Sequence, residues 1–159
     1  APTGDSLFTV NHAPPQGDTS PEASPLFDLA AVPLTGGAPI PVIPQAGMFA
    51  YPSPSPVQPR PSGEQAYQVA YLQAIFPTQS DTSRYRLVVM DRDGSNRKTL
   101  FPPEGAPGLD PQKVLWAPAG EGSPWIALLY QGNLWVVDSV SGQAQQLTGD
   151  GQLDRLDWK

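Results

Sequence analysis

Leu87-Val88-Val89-Met90-Asp91-Arg92-Asp93-Gly94-Ser95-Asn96-Arg97-Lys98-Thr99-Leu100 decides the fold class of this 159-residue chain. A run of apolar and β-branched residues meets a cluster of Asp, Gly, Ser and Asn, and a second short apolar stretch follows. That order reads as strand, turn, strand. Asp and Asn side chains bond nearby backbone in such turns, and glycine takes positive φ without a steric penalty. Leu87 to Met90 are apolar at consecutive positions, so their side chains leave both faces of a sheet. A strand of this kind needs cover on both sides.

Outward from this stretch the same grammar recurs. Val69-Ala70-Tyr71-Leu72, Lys113-Val114-Leu115-Trp116, Trp125-Ile126-Ala127-Leu128-Leu129-Tyr130 and Leu134-Trp135-Val136-Val137 are strand-length runs bounded by Gly, Pro, Asp or Asn. Gly132-Asn133 between two of them is a hairpin signal. No sustained 3.6-residue apolar period occurs, and the prolines interrupt candidate helices. The expected class is all-β. Two architectures cover consecutive apolar strands: a sandwich, or small sheets stacked radially so that each is covered by its neighbours.

Composition changes near Gly63. Fourteen of the 21 prolines precede it, all four tryptophans follow it, and Asp5, Asp18, Glu22, Asp28 and Arg60 are the only charges before it. Such a segment alone resembles a linker. It nevertheless carries Leu7-Phe8-Thr9-Val10, Leu26-Phe27-Asp28-Leu29, Pro41-Val42-Ile43 and Met48-Phe49-Ala50-Tyr51, which predict order.

Three segments share one sequence of features. The middle one runs Val69–Phe76, Tyr85–Asp91, a turn at Gly94, Lys98–Phe101 and Lys113–Trp116. The last runs Trp125–Tyr130, Leu134–Asp138, a turn at Gly142, Gln145–Thr148 and Leu153–Trp158. The first runs Leu7–Val10, Leu26–Leu34, Gly36-Gly37, Pro41–Ile43 and Met48–Tyr51. From turn glycine to third-strand apolar residue the offsets are 5 (Gly37 to Val42), 6 (Gly94 to Leu100) and 5 (Gly142 to Leu147). A tight turn fixes them. The offsets to the closing aromatics Tyr51, Trp116 and Trp158 vary, as loop insertions allow. The expected organisation is a first unit over about 6–51, a Pro-rich connector over 52–63, and further units over about 65–117 and 123–158.

Leu87 to Leu100 resembles the blade signature of TolB-like, WD-repeat-like β-propellers, in which a strand ends in an acidic-Gly turn and a Leu-Thr-type strand follows. Trp116-Ala117-Pro118-Ala119-Gly120 is similar to that family's Trp-Ser-Pro-Asp-Gly motif, with Ala in place of its Ser and Asp. Leu134-Trp135-Val136-Val137-Asp138 and Gln146-Leu147-Thr148-Gly149 match in the last unit, and Tyr51-Pro52-Ser53-Pro54 is the best piece of the first. The resemblance implies a partial propeller of about three four-stranded antiparallel blades, bacterial and extracytoplasmic (periplasmic or cell-surface), used for protein–protein interaction. Small propellers usually have about 4–8 blades. Counted in propeller phase, the chain starts on the second strand of one blade and ends on the first strand of another. Two chains related by a two-fold axis would then complete a six-bladed ring as a homodimer, Leu153–Trp158 of one joining the Leu7–Val10 blade of the other; the alternative is that this chain is part of a longer propeller whose other blades lie outside it. Alternatives are a ligand-binding sensor domain of a larger receptor or kinase, and a propeller gating a hydrolase.

Chemistry is sparse. Net charge is −6 with no Lys/Arg cluster, which excludes a nucleic-acid module, and no stretch approaches the roughly 20 apolar residues of a membrane span. Without cysteine there is no disulfide, thiolate zinc site or thiol nucleophile. Ala1-Pro2-Thr3-Gly4-Asp5 has neither the basic nor the apolar region of a signal peptide. His12 is the single histidine, and no Gly-x-Ser-x-Gly elbow accompanies it. Asp91-Arg92-Asp93-Gly94 resembles the opening of a calcium loop, but position 12 is Pro102 where an acid is needed. A hairpin turn is the better reading. Asp150, Asp154 and Asp157 read as an acidic rim, and Arg84, Arg86, Arg92, Arg97 and Lys98 as mixed surface. Pro52 to Pro61 reads as a polyproline-type connector. Trp116, Trp125, Trp135 and Trp158 read as packing between units. The expectation is no enzyme activity, no catalytic, metal or cofactor site, and no cofactor.

Overall fold

The computed structural model describes residues 1–13, 20–59, 65–118 and 125–157. Its first sheet is an antiparallel meander of β1 (Ser6–His12), β2 (Phe27–Pro33) and β3 (Ile40–Ile43). Strand β4 (Ser53–Pro54) opens the second sheet. A two-stranded ribbon of β5 (Gln58–Pro59) and β6 (Gln65–Ala66) then intervenes before β7 (Gln68–Ala74), β8 (Tyr85–Asp91) and β9 (Lys98–Phe101) complete the order β4-β7-β8-β9. The third sheet is β10 (Leu115–Trp116), β11 (Trp125–Tyr130), β12 (Asn133–Asp138) and β13 (Ala144–Gln146), in chain order. The protein is all-β; the described residues form three antiparallel sheets of three or four strands and two single 3-10 turns, Pro21–Ala23 and Pro77–Gln79.

Local chemistry explains the turns. At the end of β8 the Asp93 carboxylate accepts from Ser95 N (3.0 Å) and Ser95 Oγ (2.6 Å), while Asn96 Nδ2 donates to Asp91 Oδ2 at 2.8 Å. These hydrogen bonds to Ser95 hold the Asp93 carboxyl below its ordinary pKa. The acids that resemble a calcium loop are thus engaged by the hairpin itself. Asp138 repeats the device after β12, accepting from Val140 N and Ser141 N at 2.8 and 2.7 Å. Between β11 and β12 the two turn residues are Gln131 (φ 52°) and Gly132 (φ 71°). That is the two-residue hairpin whose twist suits the strands. It begins one residue before the Gly132-Asn133 signal, since Asn133 already pairs with Tyr130.

The second sheet is covered on both faces. Val69, Tyr71, Val88 and Met90 pack with Leu29 and Ile43 of the first sheet. Ala70, Leu72, Leu87 and Val89 pack with Ile126, Leu128 and Val137 of the third. Leu72 and Leu87 are 0% exposed. Burying a leucine side chain is worth about 1.5–3 kcal/mol, so the two sheet-to-sheet layers are the main store of stability. The consecutive apolar run of β8 is explained by this double cover.

The strand grouping differs from the sequence expectation. Met48–Tyr51 does not return to β3, nor Lys113–Trp116 to β9. Ala46 O and Ala50 O accept from Ala74 N and Leu72 N at 2.8 and 2.7 Å, and Ser53 and Pro54 then pair with Ala70 and Val69 of β7. In the same way Leu115 and Trp116 pair with Ala127 and Ile126 of β11. The segment closing each repeat in sequence therefore opens the next sheet in space. Pro44 after β3, and Pro102, Pro103 and Pro107 after β9, interrupt any tight return. Part of the Pro-rich connector is strand too: Pro54 is tolerated in β4 because that strand lies at a sheet edge. Residues 60–63 of that connector, and 123–124 and 158 of the last unit, lie outside the described residues.

Tyr71 and Tyr85, 2% and 0% exposed, have phenol pKa values raised by burial. Tyr85 Oη donates to Ser80 O at 2.6 Å and accepts from Phe49 N at 3.3 Å. An unfolded chain ionises its phenols near 10, whereas these two stay neutral in the fold. Their contribution to stability is complete below about pH 10 and is lost as pH rises through the raised folded values. In an alkaline titration followed at 295 nm, part of the phenolate signal should appear only together with loss of the β-sheet circular dichroism. All five tyrosines ionising near pH 10 with the sheet signal intact would contradict the burial.

Candidate interaction surface

The pairing registers make the three sheets comparable residue by residue. Ser6, Gln68 and Trp125 each pair with the last residue of the following strand, Pro33, Asp91 and Asp138. One residue further, Leu7, Val69 and Ile126 occupy one position, and Val32, Met90 and Val137 face them across the strand pair. Val69, Met90, Ile126 and Val137 are 0% exposed, each covered by the preceding sheet, whereas Leu7 is 53% exposed. The first sheet repeats an apolar pair that the described residues leave incompletely covered, Leu7 exposed and Val32 half-buried.

The opposite face shows the complement. Leu72 and Leu87 on β7 and β8 match Leu129 and Leu134 on β11 and β12, and Leu29 matches them on the first sheet. Leu29, Leu72 and Leu87 are buried by the sheet that follows, but Leu129 and Leu134 are only partly covered. There, an open groove of about 430 Å³ runs between the third sheet, through Leu134 and Val136, and the C-terminal segment, through Leu153 and Leu156. Leu153 N donates to Gly132 O at 2.8 Å, and Leu153–Asp157 belongs to no sheet.

The other sequence candidates distribute as follows. His12 ends β1, exposed, with Nδ1 3.1 Å from the carbonyl oxygen of Ser24 and its ring centroid 4.5 Å from that of Phe27 at a tilt of 39°. It borders a cleft of about 380 Å³ with Met48, Ser80 and Asp81. The Ser24 hydroxyl accepts from Leu26 N at 3.3 Å, and the Ser80 hydroxyl from Met48 N at 3.1 Å. Both serines next to the histidine serve the backbone. Among the described residues no three His, Asp or Glu side chains converge on a metal position. Asp150, Asp154 and Asp157 are exposed, and Asp157 borders the groove.

The basic neighbourhood separates to the two ends of β8. Arg84 pairs with Asp110 on the surface, and Arg86 Nη1 donates to Pro102 O and Pro103 O at 2.7 and 3.0 Å. Arg92, Arg97 and Lys98 sit at the other end, where Lys98 Nζ bonds Val140 O of the third sheet. Trp116 and Trp135 pack against the core between the second and third sheets. Trp116 Nε1 also donates to Ser53 O at 2.7 Å, tying the opening strands of those sheets together. Trp125 is half-buried, and Trp158 lies outside the described residues.

Sequence reasoning missed two groups. Gln112 grips β11 at both backbone groups of one residue, its Oε1 accepting from Leu129 N and its Nε2 donating to Leu129 O, both at 2.7 Å. The open faces around Leu7 and Leu134 carry no motif and emerge only when registers are compared.

No protein-family model, no curated protein and no solved structure matches this chain.

Proposed function

We propose that the three sheets are blades of a propeller of the TolB-like, WD-repeat-like type, and that the chain is a non-catalytic scaffold for protein–protein interaction. One observation carries the reading: the second sheet is sealed on both faces by like sheets, and equivalent positions recur on all three. A sandwich has two layers, whereas a stack of equivalent sheets with apolar end faces is what a segment of a radial array presents. The contact of Trp116 with Ser53 supports it further, because the opening strands of neighbouring blades meet on the side nearest the axis. An extracytoplasmic setting belongs to the same proposal through the resemblance.

The non-catalytic part is tested on the cleft that holds His12. The purified chain should hydrolyse activated esters and peptide substrates no faster than buffer does. Turnover that disappears in a His12→Ala variant would overturn it.

A further inference from the structure

We infer that β1 and the face bearing Leu7 receive the C-terminal segment Leu153–Asp157 and the third-sheet face of a second copy of this chain. The inference rests on the propeller reading and names the partner. The second and third sheets each begin with a strand delivered by the preceding repeat, β4 and β10, whereas among the described residues the first sheet has no such strand. Its place is open along β1. Asp5 O accepts from Leu34 N and Leu26 O from Ala13 N, which turns the backbone of alternate residues toward β2. The alternation of an antiparallel pair then leaves N–H and C=O of Phe8, Val10 and His12 along the free edge. This edge of seven residues contains no proline, lysine or acid, so it lacks the usual devices that block strand addition.

The occupant follows from continuity with the two interfaces inside the chain. In each, the face of one sheet carrying Leu29, or Leu72 and Leu87, is covered by the position of Val69 and Met90, or Ile126 and Val137, on the next. The third sheet presents Leu129 and Leu134, and the first presents Leu7 and Val32, as the two incompletely covered halves of a third such interface. The segment that supplies the strand is present as well. Leu156-Asp157-Trp158 follows the third sheet as Val114-Leu115-Trp116 follows the second. Leu115 pairs with Ala127, which corresponds to Phe8, so Asp157 falls opposite Phe8 and Leu156 opposite Thr9. Val114, the counterpart of Leu156, is 1% exposed, whereas Leu156 is only partly covered. Two copies about a two-fold axis form both contacts at once and close.

The test combines mass, a surface variant and a cross-link on the 159-residue chain. Light scattering at micromolar concentration should give twice the 17.0 kDa chain mass. Leu7→Asp places a charge on a position half-exposed in the single chain, so the fold should survive while the dimer dissociation constant rises about 100-fold or more. The chain has no cysteine, so Thr9→Cys with Leu156→Cys gives a clean report: oxidation should yield covalent dimers. A monomeric mass, a dimer indifferent to Leu7→Asp, or a disulfide confined to one chain each overturns the inference. Amide exchange keeps the two readings apart. A monomer with β7 and β8 protected leaves the scaffold standing, and a monomer with them unprotected removes both.

Discussion

Leu87→Ala is expected to lower stability by about 2–5 kcal/mol and the unfolding temperature by roughly 10 °C. Leu87 is 0% exposed on the face of β8 that meets the third sheet, among Leu72, Ile126 and Leu128. Removing it takes away the transfer energy of three carbons and leaves a void that neighbours fixed on two sheets cannot fill. The informative comparison is Leu134→Ala. Leu134 occupies the same position on β12 but is only partly covered, so its truncation should cost the isolated chain under about 1 kcal/mol. Denaturant melts of both variants at low concentration read the difference. Equal losses would mean that the two leucines do not hold equivalent positions, one sealed and one open.

Gly47→Ala carries the second large effect, about 3 kcal/mol or more. Gly47 has φ +108°, outside even the left-handed region open to other residues. A Cβ there would lie 2.6 Å from Ala74 Cβ and 3.1 Å from the Tyr85 ring. Neither neighbour has room to retreat: Ala74 is fixed in β7, and Tyr85 is held by Ser80 and Phe49. Gly47 N also donates to Phe27 O at 3.1 Å, so the same residue joins the first sheet to the second. Thermal unfolding should show the loss. A Gly47→Ala protein as stable as the parent would contradict the close packing of 46–50 along β7.

The class of fold was legible because β-strand chemistry is local. Tyr85–Asp91, Lys98–Phe101 and Trp125–Tyr130 have in the structure the bounds their sequence predicts, each set by Gly, Pro or charged residues. The two-sided cover of β8 followed from four consecutive apolar side chains. The sheet that each closing segment joins was not legible from the residues themselves. Tyr51 and Trp116 look equivalent as closing aromatics, yet the registers put Pro54 opposite Val69 and Trp116 opposite Ile126. Which sheet a short edge strand joins is decided by backbone hydrogen bonds across many residues, such as Leu72 N to Ala50 O, and these leave no trace in side-chain pattern. The surface candidate was hidden for a related reason. Leu7 and Val69 are both aliphatic, and only the neighbour each sheet has, or lacks, makes one exposed and the other sealed.

Methyl–methyl nuclear Overhauser effects from the second sheet test the stacking most directly. The account predicts two separate sets: Leu72 and Leu87 to Ile126 and Leu128, and Val69 and Met90 to Leu29 and Ile43. Direct contacts between Leu29 or Ile43 and Ile126 or Leu128, with one face of β8 left bare, would describe a two-layer sandwich and contradict it.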